Sequence, residues 1–536
     1  MGTELAEQVP INVVGSSTFG IYPKISKELT YNMFITDEWL CNYAGYQLVN
    51  AISAQGEGRG LFRSMRGGFM LAVINNTVYL INSSLSAQPN PVTLSSTQGE
   101  VFMDENLSQQ ICIVDGTNAY IYHYDVNNPG TMGQLTLQAL QQSGPLAIIP
   151  NYVTYHNTFF LIGSAPNSIN PQNWYAFIRA SDTTITINPG VGGQFALQTK
   201  PDRAIAIKRL PGLGNNIIVM GQAVCEVWNQ VGGTQNYQRL STYNIDNGVV
   251  SVSTIAANEE MVCWLSQNEN NSPSIMVSTG NQTKRISTDG IDNLLESIKV
   301  PAQSTAFFYR QNGHVFYHLT FFNPLDNLSL IYDFTTDKFF HVANEDMNFY
   351  PARQVANFND NNYFVSLKDA SLYQIGQQFK TYNYDLDVNA RGEEIPRIRI
   401  CKSIRKTDSA TFRCGLVTFW IEQGIGEWYN IDNSNCDGLL ITEDTSDYII
   451  TESGEYILSE TGICFNNNNR PRVDLSFSKN GNQSFSNIVS RELNEQAKFR
   501  NQIRWHRIGQ GNELTFQFRF WGFQRFVVQN GVAEIY

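Results

Sequence analysis

The stretch MLAVINNTVYLI, Met70 to Ile81, decides the fold. Two apolar, β-branched and aromatic runs flank Asn75-Asn76, and Asn tolerates the left-handed backbone that a tight hairpin turn needs. The same unit recurs as ICIVDGTNAYIYHY (Ile111 to Tyr124), TFFLIG with WYAFIRA (Thr158 to Gly163, Trp174 to Ala180) and NNIIVMGQAVCEVW (Asn215 to Trp228). It continues as MVCWLSQNENNSPSIMVS (Met261 to Ser278), HVFYHLTFFNPLDNLSLIYDF (His314 to Phe334) and NYFVSLKDASLYQIG (Asn362 to Gly376). The spacing is roughly 40 to 60 residues, the blade range of propellers. One hairpin cannot bury both its faces, so a tandem set must stack. The pattern predicts an all-β protein with a β-propeller of about six to eight blades, seven being the best count.

Composition agrees with sheet. Of 536 residues 12 % are aromatic and only 16 % charged, so long helices rich in Ala, Glu, Lys and Leu are not expected. The net charge of -12 argues against a surface that clamps phosphates, because that affinity needs Lys and Arg to displace counterions. DNA that only passes by is compatible with it. No basic segment followed by an apolar core opens the chain, and Gly2 lacks the Ser or Thr that myristoylation wants, Ala6 standing there. No run approaches the ~20 apolar residues of a membrane helix, so no membrane anchor is expected. Eight scattered cysteines without a CxxC pair suit assembly in a reducing cytosol.

Three regions are expected: leading strands over 1–65, the propeller over 66–390, and a C-terminal antiparallel β domain over 391–536. Within the last, LLITEDTSD, YIITESGE and YILSETG form an acidic short-repeat insert over 439–462. Its carboxylates read as a solvated edge that keeps strands from pairing with neighbours.

Chemical signatures are sparse. Ser478-Lys479-Asn480-Gly481-Asn482-Gln483-Ser484-Phe485 is similar to the Asp-box hairpin of sialidases, a folding device in which a polar side chain bonds turn amides and an aromatic plugs the core. A glycosidase needs two carboxylates at defined separation across a cleft, and no spacing singles out a pair among Asp289, Asp292, Glu296 and Glu422. His314 and His318 share a strand face about 13 Å apart, too far for one metal ion. GEGRG (Gly56 to Gly60) is not followed by a helix and reads as a turn, not a phosphate loop. No catalytic, metal-binding or cofactor-binding residue is therefore assigned. Basic residues gather at Arg59, Arg63 and Arg66, at Lys402, Arg405 and Lys406, and at Arg500, Arg504 and Arg507 with Trp505 and His506. Strict alternation puts Arg504 and His506 on one face and Trp505 and Arg507 on the other. Arg500, Arg504, Trp505 and Arg507 form the candidate subunit or partner interface, since Arg and Trp are enriched there; a solvated strand face is the plain alternative.

Several ordered segments together resemble a known family. YNMF, GEGRGLFRSMRGGFMLAVINNTVYLI, TKPDRAIAIKRLPGLGNNIIVMGQAVCEVW, YNIDNGVVSVSTIAANEEMVCWLSQNENNSPSIMVSTGNQTKRIST and the closing FRNQIRWHRIGQGNELTFQFRFWG with AEIY resemble the tail hub, or nozzle, proteins of short-tailed bacteriophages, the packaged-DNA stabilisation proteins. The resemblance covers most of the chain and contains no catalytic signature. It implies a non-enzymatic virion protein, assembled in the host cytoplasm, forming a homohexameric ring beneath the portal and its adaptor ring. That ring would close the tail channel, retain packaged DNA and pass it at ejection without binding it tightly. Tail fibres or spikes and a plug or needle are the implied further partners. The acidic insert and the run NNNNRPR (Asn466 to Arg472) depart from the simplest members, so contacts to those partners do not transfer to named residues. A propeller-type glycosidase or depolymerase, and a receptor-binding tail spike, are the alternatives.

Overall fold

The computed structural model describes residues 6–19, 28–128, 130–138, 141–142, 148–177, 186–187, 193–233, 236–382, 393–406, 410–423, 471–494, 499, 502–522 and 524–536. The chain divides into two compact units. One comprises Ser16–Phe34 and Tyr43–Ile395; the other comprises Met1–Gly15, Ile35–Asn42 and Pro396–Tyr536.

The larger unit is a β-propeller with seven antiparallel blades among the described residues. Blade 1 runs from Gly58–Arg63 through Met70–Ile74 and Thr77–Ile81 to Ala87–Thr93. Blades 2, 3 and 4 begin on the strands Phe102–Glu105, Pro150–His156 and Ala206–Arg209. Blade 5 is built on Val262–Gln267 and Pro273–Thr279, blade 6 begins at Ser304–Gln311, and blade 7 begins at Ala352–Phe358. Each hairpin singled out in the sequence supplies the second and third strands of one blade.

Those strands read as unbroken apolar runs because both their faces are covered. In Met70–Ile74, Leu71 and Val73 pack with Ile111 and Tyr120 of blade 2, while Met70 and Ala72 pack with Val365 and Leu372 of blade 7. The period of two thus assigns alternate residues to opposite neighbours. Turns are set by residues that accept positive φ: Asn312 and Gly313 at 52° and 82°, and Asn359 and Asp360 at 48° and 63°. Both-positive pairs are the signature of the two-residue turn whose twist matches the strands.

A lead-in segment over 1–65 is not a unit of its own, which corrects the expected boundaries. Gly58–Arg63 is the innermost strand of blade 1, and Gly45–Ala51 is the outermost strand of blade 7, antiparallel to Ser371–Gly376. Leu61 N donates to Gln354 Oε1 (2.8 Å), so blade 7 meets blade 1 and the ring closes. The closing blade needs both ends of the propeller sequence, a pairing that no local pattern announces. Tyr46 fixes it by stacking on Tyr382 at 4.5 Å and meeting Tyr350, Phe364 and Tyr373 edge-on.

The smaller unit is a two-sheet β-sandwich. In one sheet Trp39–Asn42, Val527–Ile535, Phe412–Ile421 and Gln502–Gly511 lie in that order, with Glu7–Ile11 also paired to Val527–Ile535. In the other, Arg397–Ile400, Thr515–Trp521, Arg472–Ser478 and Val489–Glu492 follow one another. Its core sets Phe419 against Trp505 and Phe518 at 5.3 and 5.0 Å. The N-terminal strand is fastened by buried Arg399, whose guanidinium donates to Val13 O and Asn12 O (both 2.9 Å). The acidic insert 439–462 and the run 466–470 lie outside the described residues.

Candidate functional site

The innermost strands place charged side chains on the propeller axis. Glu100 lies two residues before the first strand of blade 2, yet its carboxylate accepts from Gln354 of blade 7 and from Thr305 Oγ1 of blade 6 (3.4 Å). Thr305 also donates to Arg353 O at 3.0 Å. One side chain that reaches blades not adjacent to its own must cross the axis. Burial pushes the Glu100 carboxyl above its ordinary range, opposed by the Arg353 guanidinium and by hydrogen bonds from Ser253, Gln354 and Thr305. Arg353 is itself buried and lies 3.6 Å from Glu57 Oε1.

A second polar cluster joins adjacent blades 2, 3 and 4. Asp104 accepts from Tyr155 N (2.7 Å) and Thr154 Oγ1 (3.1 Å) of blade 3, while Lys208 of blade 4 reaches Tyr152 Oη at 3.3 Å. Burial raises the Asp104 carboxyl, with Lys208 as the main opposing charge. Hydrogen bonds across the axis leave no passage for a duplex, whose major groove alone is about 12 Å wide. The axis is thus closed by side chains of this one propeller.

Arg59, grouped in the sequence with a basic cluster, is fully buried. Its five N–H donors bond Gly99 O, Asn75 O, Ser96 O, Ser96 Oγ and Gln98 O at 2.6 to 2.7 Å. That exhausts the donor capacity of a guanidinium. The arginine thereby pins the linker from blade 1 to blade 2, next to Glu100. The GEGRG stretch is strand, not turn, from Gly58, and a Cβ at Gly58 would lie 2.5 Å from Val365 Cβ. Close packing of blade 7 against blade 1 is what Gly58 allows, while a Cβ at Gly60 would lie 2.8 Å from Val101 O.

The predicted interface residues separate in the sandwich. Arg500 lies outside the described residues. Trp505 is buried, its Nε1 donating to Val489 O at 2.9 Å, so it is core and not a contact surface. Arg504 and Arg507 are both exposed. Strict alternation would bury Arg507, but the pairing with Phe412–Ile421 shifts between Cys414 and Leu416, and Arg507 adopts φ 59°. A bulge of this kind re-aims a side chain. The structure adds two residues that sequence grouping missed: Arg491, whose Nε donates to Arg504 O (3.1 Å), and Lys479, within 6 Å of the Phe477 ring centre at 5.9 Å. Only knowledge of strand pairing brings these together.

Other candidates find structural roles. Asp289 and Asp292 both pair with Arg285 at 3.0 Å, and Glu422 pairs with Arg525 at 2.9 Å. His314 Nδ1 lies 2.8 Å from Asp333 Oδ2, whereas His318 is stacked on Phe307 at 4.5 Å and its burial lowers its pKa to about 3. No group of three potential metal ligands occurs among the described residues. The Asp-box-like turn is stapled by Asn480, which accepts from Ser484 N (3.1 Å) and Ser478 Oγ (2.8 Å). Phe485 is only half-buried, so it does not plug a core. Burial lifts the thiols of Cys41 and Cys414 to about 11 and about 12, removing them as nucleophiles at neutral pH.

Residues 192–379 match the family model described as Bacteriophage P22 Gp10, beta-propeller. The match spans 188 of 536 residues, from the last strand of blade 3 through the third strand of blade 7, and supports a structural role in the virion. No curated protein matches the chain. Among solved structures, the extracellular domain of the putative one component system BT4673 from B. thetaiotaomicron is 9% identical, with a TM-score of 0.38, covering 62% of this chain. The present chain spans 40% of that structure's length. YCF48 bound to D1 peptide shares 11% identity at a TM-score of 0.36, over 66% of this chain and 97% of its own. The N-terminal domain of Nup159 shares 8% at 0.35, over 64% and 96%. Likenesses this distant carry no functional argument. No helix among the described residues is long and apolar enough to cross a membrane.

Proposed function

We propose that this chain, whose residues 192–379 belong to the phage-stabilisation propeller family, is the ring-forming hub or nozzle of a short phage tail. Six copies would close a ring through a heterologous interface, in which one surface of a subunit meets a different surface of the next. The ring sits below the portal and its adaptor, closes the channel over packaged DNA, and passes the genome at ejection. Fibres or spikes and a plug or needle complete the tail.

The observation that carries this reading is the axis crossed by Glu100, Gln354, Thr305 and Arg353 in a rigid closed propeller. Such a body is suited to building a wall, with the lumen between copies. The net charge of -12 serves the same end, because an acidic lumen repels the DNA backbone and lets it slide. Negative-stain images of assembled tails test the proposal. A sixfold ring containing this chain is expected; a monomer that releases reducing sugar from host polysaccharide, or an elongated trimer, would overturn it.

A further inference from the structure

The adjoining edges of the sandwich form a basic, partly apolar surface. Val489–Glu492 is exposed at all four residues, and Ile488 and Val489 expose 51% and 41% of their surface. Trp505 and Arg491 bridge this strand to Gln502–Gly511, which brings Arg491, Arg504 and Arg507 onto one edge. Lys479 joins them beside Gly509, its Nζ 3.6 Å from where a Cβ would stand. Both strands end their sheets among the described residues. Arg491 donates to Arg504 O and Ser490 O and Arg504 donates to Gln502 Oε1, and none of the four basic residues has a carboxylate partner among the described residues. Glu492 is the one acid of the edge strand.

Four cations without a carboxylate partner among the described residues are gathered here on an acidic chain. With them set aside, the other 32 basic residues face 48 acidic ones, a balance of -16. We infer that this edge docks on the acidic surface of a second copy of the same chain, as the basic half of a heterologous subunit contact. Exposed Ile488 and Val489 favour protein over nucleic acid as the occupant, because phosphates offer aliphatic side chains nothing to pack on. Arginine beside aliphatic groups is the composition of a docking surface, and opposite charge sets its orientation and rate of association. The inference rests on the ring reading and names the surface that closes it.

Photo-crosslinking in assembled tails tests it, using Ile488→p-benzoylphenylalanine, together with the charge-reversal variant K479E/R504E/R507E. Crosslinks are expected to join residue 488 to a different region of another copy. The variant should keep the wild-type melting curve and lose ring formation, its self-association falling roughly tenfold or more. A ring whose crosslinks run only to another protein or to DNA overturns the docking surface and leaves the ring standing. So does a reversal variant that assembles normally. Tails with no ring of this chain would instead defeat the proposed function, and the surface with it. Should the triple variant not fold, Arg504→Glu alone, with its side chain in solvent, gives the same readout at smaller amplitude.

Discussion

The propeller and the sandwich are both sheet, yet one is written locally and the other is not. In the propeller, the second and third strands of every blade are joined by a short connection, so turn residues and apolar runs stand side by side in the sequence. In the sandwich, Val527–Ile535 pairs with Glu7–Ile11, Trp39–Asn42 and Phe412–Ile421, strands from three distant parts of the chain. Local hairpins repeat an instruction; the sandwich depends on contacts whose closure no local pattern encodes.

The propeller also hides its long-range parts, and these give the largest expected effects. Arg59→Met strands five oxygen acceptors in the buried linker and should cost about 3–5 kcal/mol. Hydrogen exchange should locate the loss in blades 1 and 2; a loss under about 1 kcal/mol would mean that water replaces the guanidinium. In the sandwich, Trp505→Ala should cost a similar ~3–5 kcal/mol through the cavity it leaves against Phe419 and Phe518. If denaturant unfolding moved by only a few tenths, Trp505 would be a surface residue after all, as its candidacy for the interface requires.

Smaller and directional is Glu100→Gln. The folded carboxyl titrates above its ordinary value of 4.5, so at neutral pH the folded state carries the burial cost of the charge. As pH falls through the raised folded pKa, the folded state takes up the proton first and stability rises, until the unfolded pKa is reached. Glu100→Gln should therefore melt higher than wild type at pH 7.5, and the gap should narrow as pH falls toward 4.5. A gap that widens on acidification would show that Arg353 and the hydrogen bonds outweigh burial. Smallest of all is Arg504→Ala, expected within about 0.5 kcal/mol of wild type in stability because the side chain is in solvent.

Legibility follows the same division. The seven hairpins could be read because each strand pair and its turn are neighbours in sequence, and the axis could not, because Glu100 meets residues more than 200 positions away. The burial of Arg59 is not legible in the sequence because its acceptors are four backbone carbonyls and one serine hydroxyl, groups that no pattern announces. Alternation separates Arg504 from Trp505, as in the structure; Arg507 escapes it through a single register shift, and Lys479 and Arg491 join the edge only through pairing. The closing strand Gly45–Ala51 was seen as β but not as the last strand of blade 7, for the same reason.

Cryo-electron microscopy of intact tails tests the central claim most directly. The account predicts six seven-bladed propellers around one ring, each axis filled by side chains, with DNA or its channel in the space between copies. DNA density threading a propeller axis, or tails in which this chain forms no ring, would contradict it.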